Sequence, residues 1–561
     1  HSLSIIKPHF LMSETYADAY NQAQTDTPSD NELHALWVPP SRKKMLNILK
    51  SSSMGGPLEK DKDVKEPPFD LLIIGGGATG TGTALDAATR GLKVALVERD
   101  DFSAGTSSRS TKLVHGGVRY LEKAFKELDY GQYKLVKEAL HERATFLHIA
   151  PYLIYDFLAG RESMESSHFL SSSKAIEAFP WLKKEKLVGA MVYYDGQHND
   201  ARMNVALALS AVSHGAVVVN HVEVTRLLKD NEDKVIGARV RDNLSGDEWD
   251  IRAKGVINAT GAFTGRLTSH AYWPILVKER DGIRSMDNPR CDNIVAPSAG
   301  VHVVLPNYYS PRRMGMIDPS TSDGRVIFFL PWEGSTIAGT TDSPTELTYN
   351  PMPKEEEIQW ILNEIRTYLS PDIEVRRSDV LAAWSGIRPL VRDPGAKNTS
   401  ELVRRHMINV SPSNLITIAG GKWTTYRNMA EETVDTAIKV ARHLANSYGD
   451  RSWAVAALAR PTGKSWPAFG CRLNPLYPYI DAEITYAVRR EYACTLVDVI
   501  ARRTRLAFLD VQATLESLPH IIEIMSKELG WSSERQKREY NQAVEFLVTM
   551  GLPRPKEQGK S

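Results

Sequence analysis

A short apolar run, Leu71 to Ile74, empties into Gly75, Gly77 and Gly80, spaced G-x-G-x-x-G, and no other stretch limits the fold of this chain so tightly. A helix-like segment follows from Thr83 to Thr89, Gly91 ends it, and a second buried run, Val94 to Val97, finishes on Glu98. Each part has a physical job. Gly75 permits a tight turn, Gly77 lets backbone approach a pyrophosphate, and Gly80 lets helix and strand pack closely. Amide N–H groups at the helix start then meet the diphosphate. Glu98 lies 18 residues beyond Gly80, where a carboxylate can accept hydrogen bonds from a ribose diol. A lone glycine triplet is weak. With strand, helix, second strand and terminal acid in register, the segment predicts dinucleotide binding rather than an ordinary glycine-rich turn.

A chain of 561 residues exceeds one small core and predicts two or three domains. A formal net charge of +1 provides no basic field, so nucleic acid is not an expected partner. Cys291, Cys471 and Cys494 are too few and scattered for a disulfide framework or a zinc site, and point to a reducing compartment. His, Cys and carboxylates stand nowhere at ligand spacing, so no metal is expected. No apolar run reaches 18 residues, so no spanning helix is expected. Residues 1–66 mix turn formers with charges and read as a flexible extension, without an apolar h-region or an Arg-rich amphipathic stretch. From 67 to 441, runs such as VVVNHVEV, GVINATG, VHVVLP and RVIFFLPW alternate with helical patterns, an α/β plan with a substantial antiparallel component. Residues 442–550 carry helical periodicity and form a second domain; 551–561 read as a disordered tail.

Three constellations carry chemistry. Just past the ribose acid come Thr106, Ser107, Ser108, Ser110 and Thr111, hydroxyls able to bond phosphate and ring edges of a cofactor, with Gly116, Gly117, Arg119 and Tyr120 after them. Alone, that run is equally well a Ser-rich surface loop. The segment Val256 to Phe263 is a strand ending at Thr260-Gly261, which, paired with the first fingerprint, favours FAD over NAD. Leu415 to Asp435 reads as strand, Gly420-Gly421 turn, then helix; its amides and positive end would face the negative charge of a reduced flavin, and Lys422 adds a point charge. Arg388 and either Arg404 or Arg405 are candidate anion holders, although lone arginines are more often surface charges. His302, in GVHVVLP, is either a base or a satisfied core group, and Asp342 is similarly open.

Taken together, GGGATGTGTALDAATRGLKVALVERDDFSAGTSSRSTKLVHGGVRYLE, VYYDGQHNDARMN, AGTTD, AAWSGIRPLV and AGGKWTTYR resemble one family, the mitochondrial FAD-dependent glycerol-3-phosphate dehydrogenases, from about Phe69 to Met550. The resemblance implies an α/β, two-domain FAD-binding oxidoreductase fold, Rossmann-like plus an antiparallel substrate sheet, with a C-terminal helical domain. It implies oxidation of sn-glycerol 3-phosphate to dihydroxyacetone phosphate by hydride transfer to FAD, with ubiquinone as acceptor, at the inner mitochondrial membrane. Motif by motif, it implies Arg119 and Tyr120 beside the substrate, Arg388 and Arg404 on its phosphate, Lys422 near flavin and substrate, and His302 in the active site as candidate base. Peripheral membrane association is implied for the family, but the apolar, aromatic stretch that animal members carry after Ile149–Leu153 is missing here, which argues against it in this chain. A homodimer is left open. The competing expectations are an oxidase of the same fold using oxygen, and a non-catalytic flavin-binding form.

Overall fold

The structure, a computed structural model, describes residues 3–8, 37–52, 69–114, 167–264, 282–311, 314–318, 321, 323, 325–391, 406–440 and 471–554. Its first sheet is built on the two runs that flank the glycine turn. Phe69–Ile74 and Val94–Val97 are parallel neighbours, with Val217–Val219 beyond one side and Glu248–Asn258, Leu415–Gly420 and the antiparallel edge strand His406–Val410 beyond the other. Apolar runs without alternation suit a parallel sheet covered on both faces. Helices Ala78–Thr89, Asp200–Ser213 and Tyr426–Val440 pack together beside it, the first lying directly on the central strands. The expected single run VVVNHVEV is two strands, Val217–Val219 and Val222–Lys229, because His221 between them takes φ +56° and turns the chain.

A second, largely antiparallel sheet is organised on Val295–Leu305, which pairs with Ala382–Val391 from Val295↔Val391 to Val304↔Ala382 and with Ser335–Gly339 on its other side. Successive strand residues face opposite ways. Val301, Val303 and Leu305 therefore bury against Ile358, Ile361, Leu362 and Ile365 of the helix Glu355–Tyr368. The intervening residues, His302 among them, share the opposite face with Arg388, Gly386 and Trp384 of the partner strand, as the register Ser298↔Arg388, Gly300↔Gly386 and His302↔Trp384 requires.

The C-terminal part is helical, as expected: Asp481–Arg490, Leu496–Asp498 running into a π turn at Val499–Arg503, then Leu506–Leu509, Val511–Leu529 and Ser533–Thr549. It does not own a separate core. Leu506, Phe508, Met525, Leu547 and Met550 share one apolar cluster with Val304, Trp332 and Trp384 of the antiparallel sheet.

Two terminal expectations are corrected. Within the supposed flexible extension, Arg42–Ser51 is a helix capped by Ser41, whose hydroxyl accepts from Lys44 N at 3.2 Å. Its Met45 and Leu49, one turn apart, are buried in the parallel-sheet core, and Arg42 forks onto Asp242 at 2.9 and 3.2 Å. The supposed tail begins ordered too: Leu552 is buried and its N–H donates to Leu547 O at 3.0 Å.

Candidate active site

The glycine turn performs as its spacing demands. Gly75 sits at φ +113°, and a Cβ there would lie 2.7 Å from Ala259 O. At Gly80 a Cβ would lie 1.8 Å from Gly75 O, so only a hydrogen allows the helix to pass so close to the strand end. The helix opens at Gly77 with no side-chain cap of its own; instead Ser107 Oγ accepts from Ala78 N at 2.9 Å. Glu98 anchors the turn from the neighbouring strand, accepting from Gly76 N at 2.6 Å and Asp100 N at 2.8 Å. Burial pushes its carboxyl upward, with the Asp100 charge adding and the two backbone donors opposing. Each carboxylate oxygen keeps lone-pair capacity for further donors.

A cavity of about 690 Å³ opens here, and its wall carries Gly75, Gly77, Glu98, Thr106, Ser107, Gly261, Gly421 and Lys422. Eight of the expected cofactor residues are thus brought together from four distant segments. The donor set suits a dinucleotide: an acid at one end, a glycine-lined helix start in the middle, and a Gly-Gly-Lys turn at the far end. A Cβ at Gly77 would lie 3.0 Å from Ser107 Oγ, so a side chain there would press on the hydroxyl that accepts from Ala78 N. The group implied by this wall is FAD, and the residues fit it.

Ser108 and Ser110 do not line the cavity, contrary to expectation. They belong to the same strap, but their groups are spent on protein: Ser108 Oγ donates to Gly105 O at 3.3 Å while its carbonyl accepts from Lys112 Nζ and Arg505, and Ser110 bonds Asp200. Thr106 Oγ1 donates to Ile387 O at 2.6 Å and Trp423 Nε1 donates to Ser107 O at 2.9 Å. The strap of residues 106–112 therefore lies between the dinucleotide half and the antiparallel sheet. Glycines make the room: a Cβ on Gly386 would lie 2.9 Å from Arg109 Cβ, and one on Gly300 would lie 2.3 Å from Arg388 Nη2.

His302 stands on that sheet face, buried, its ring stacked on Trp384 with centroids 5.6 Å apart and its Nε2 3.0 Å from Thr111 Oγ1. Its Nδ1 has no hydrogen-bond partner among the described residues. Burial, then the Lys112 and Arg388 charges, hold the imidazole well below its ordinary pKa, so it is neutral at physiological pH. Arg388, half-buried, donates from Nη1 to Ala299 O and Asp342 Oδ1, both at 3.2 Å, and from Nη2 to Thr340 Oγ1 at 2.9 Å and Thr341 O at 3.0 Å. Asp342 also accepts from Ser298 Oγ. Arg119, Tyr120 and Arg404 lie outside the described residues.

Sequence reasoning attached no role to Asp200, Lys112 or Arg505, a buried charge cluster directly behind the strap. Asp200 follows Asn199, a helix-capping residue, and stands inside the motif VYYDGQHNDARMN; those were its legible signals. A second buried cluster, Asp101, His221 and Asp498, brings ligand-type atoms within 4.8 Å of one another. Arg502 and Arg503 donate into the same carboxylates at 2.7–3.1 Å, which makes it an ion-pair network joining the helical part to the parallel sheet.

Comparison with known proteins agrees with this geometry. Residues 70–435 match the family model for FAD dependent oxidoreductases, and residues 411–536 that for the C-terminal domain of alpha-glycerophosphate oxidase. The chain is 52% identical to the mitochondrial glycerol-3-phosphate dehydrogenase of Mus musculus, over 91% of its own length and 75% of the relative's. To the mitochondrial protein of Caenorhabditis elegans named a probable glycerol-3-phosphate dehydrogenase it is also 52% identical, over 86% and 74%. The crystal structure of the glycerol-3-phosphate dehydrogenase from Bacillus halodurans complexed with FAD is similar at TM-score 0.67 and 26% identity, covering 92% of this chain and all of that one. With the glycine turn, the cavity and the shared helical part in agreement, this chain belongs to the mitochondrial glycerol-3-phosphate dehydrogenase family of FAD-dependent oxidoreductases.

Proposed function

We propose that this chain oxidises sn-glycerol 3-phosphate to dihydroxyacetone phosphate at bound FAD, in mitochondria, and that the electrons pass on to ubiquinone at the inner membrane. The observation that carries the reading is one cavity whose wall joins the glycine turn and Glu98 to Thr106, Ser107 and the Gly-Gly-Lys turn; His302 and Arg388 are not on that wall but on the sheet face beyond the strap. FAD, when bound, supplies the two-electron acceptor.

The chain's own residues do the rest. Amides at the start of Ala78–Thr89 hold the diphosphate and Glu98 the ribose diol. Lys422 and the turn before Tyr426–Val440 oppose negative charge at the far end of the cavity. His302 takes the proton of the C2 hydroxyl, and Arg119 and Tyr120 flank the substrate. Arg388 and Arg404 hold the phosphate dianion. Both Nη atoms of Arg388 already carry two acceptors, so the phosphate takes the place of Asp342 on Nη1, one anion for another.

Anaerobic addition of glycerol 3-phosphate to purified, yellow protein tests the reading: flavin absorbance near about 450 nm should bleach within the mixing experiment. A lasting yellow colour overturns it in favour of a non-catalytic flavoprotein. Reduction of a soluble quinone should outpace peroxide formation; the reverse order assigns the electrons to oxygen instead.

A further inference from the structure

Asp200 has no exposed surface, and it is the hub of the cluster behind the strap. Its Oδ2 accepts from Ser110 N at 3.0 Å, Ser110 Oγ at 2.7 Å and Lys112 Nζ at 2.6 Å; its Oδ1 accepts from Ala201 N at 2.8 Å and Arg505 Nη2 at 3.2 Å. Lys112 and Arg505 both donate as well to Ser108 O, at 2.9 and 2.8 Å. One carboxylate therefore ties the residues on both sides of Thr111 to one point, and Thr111 is left to reach the opposite way, to His302 Nε2 at 3.0 Å.

Bulk stability does not explain this arrangement. Burying Asp200, Lys112 and Arg505 together costs desolvation that a packed apolar group would avoid, pulling the Lys112 ammonium down to about 7, so such clusters are weak contributors to folding. Two members also hold an unfavourable backbone: Lys112 at φ +68° and Arg505 at φ +67°, both non-glycine residues in the left-handed region. Strain of this kind persists only where surrounding structure imposes it, and it concentrates at functional sites. Burial alone would raise the carboxyl; Lys112 and Arg505 overcome it and hold Asp200 down to about 2, so the hub is anionic at any working pH.

We infer that Asp200 is a positioning residue, acting through Ser110 and Lys112 on Thr111 so that the Thr111 hydroxyl fixes the ring orientation and proton placement of His302. This rests on the reading of His302 as the site's base. In the tautomer whose Nε2–H donates to Thr111 Oγ1, the lone pair is on Nδ1, which has no partner among the described residues and is the nitrogen that takes the substrate's proton. Arg505 brings the helical part into the same function, since it reaches the hub from beyond the π turn.

The experiment uses holoenzyme carrying Asp200→Asn, Thr111→Val, Thr111→Ser, His302→Asn, or the Asp200/His302 pair changed together. Anaerobic rapid mixing separates the flavin reduction rate from the dissociation constant for glycerol 3-phosphate. Misplacing a base costs on the order of tenfold to a hundredfold in rate, so Asp200→Asn and Thr111→Val should slow reduction by that much at near-constant substrate affinity. Thr111→Ser should restore the rate. In the His302→Asn background, Asp200→Asn should cost little more, because its effect runs through the histidine. Additive losses in the double variant, or an undiminished rate in Thr111→Val, overturn the positioning role while leaving His302 as base. An undiminished rate in His302→Asn overturns the base reading itself, and the positioning role with it. Should Asp200→Asn fail to fold, the Thr111 pair decides alone.

Discussion

Asp101→Asn should destabilise this protein far more than its single-atom change suggests. Asp101 is fully buried and receives Arg502 Nε at 2.7 Å, Arg503 Nη1 at 2.8 Å, Arg503 Nη2 at 3.1 Å and Asn220 Nδ2 at 2.9 Å. Burial raises its carboxyl, but Arg503 and Arg502 outweigh that and hold it below the ordinary range, so it is ionised whenever the protein is folded at neutral pH. Asparagine keeps the shape, removes the charge and turns an N–H₂ toward donors. Two buried guanidinium groups then lose the counter-ion they share, Arg502 keeping Asp498 and Arg503 the longer contact to Glu491, a loss of about 3–5 kcal/mol. An unfolding entropy of about 2.1 cal/mol/K per residue over 561 residues makes 1 kcal/mol worth about 1 °C, so the thermal midpoint of the holoenzyme should fall by about 3–5 °C. Lys50 and Asp247 provide the contrast, an exposed pair at 2.6 Å. Asp247→Asn should cost no more than about 1 kcal/mol. If both variants melt together, the buried network contributes no more than a surface pair and the reasoning fails.

Three further outcomes follow from the site. Arg388→Ala should raise the apparent KM for glycerol 3-phosphate more than about tenfold in steady-state kinetics, since a charge-assisted phosphate partner is lost; unchanged kinetics would remove the phosphate role. Gly80→Ala puts a methyl 1.8 Å from Gly75 O, so the helix start must shift, and protein purified with this change should carry clearly less than one flavin per chain by absorbance. The pH dependence of kcat/KM should keep its acid limb below about 6.5, the ordinary histidine value, because burial and then the Lys112 and Arg388 charges depress His302 and a base works in its neutral form. A limb at or above that value would assign the titration to another group.

Much of the candidate cofactor cavity was legible because local spacing and backbone sterics specify it. Gly75, Gly77, Gly80 and Glu98 need only one strand, one turn and one helix to define their geometry, and Thr106, Ser107, Gly261, Gly421 and Lys422 fell into the same cavity wall. Ser108 and Ser110 were misread for a physical reason: hydroxyls beside a cofactor loop look alike in sequence, whichever way each points. The Ser110 hydroxyl was turned by Asp200, 90 residues away along the chain, and the Ser108 hydroxyl by its own loop, where it donates to Gly105 O. The helix Arg42–Ser51 was hidden in the same manner: its four apolar residues, Met45, Leu46, Ile48 and Leu49, span little more than one turn, too short a run to mark a pattern without the sheet that Met45 and Leu49 cover.

By itself, then, the order of residues determined the dinucleotide turn, the alternation of strands and helices and the family, because these depend on contacts a few residues apart. Only the tertiary structure decided which hydroxyls face the cavity, which charges are buried in pairs, and that the helical part shares its core with the antiparallel sheet. Those outcomes depend on desolvation and on partners hundreds of positions distant, and no local pattern encodes either.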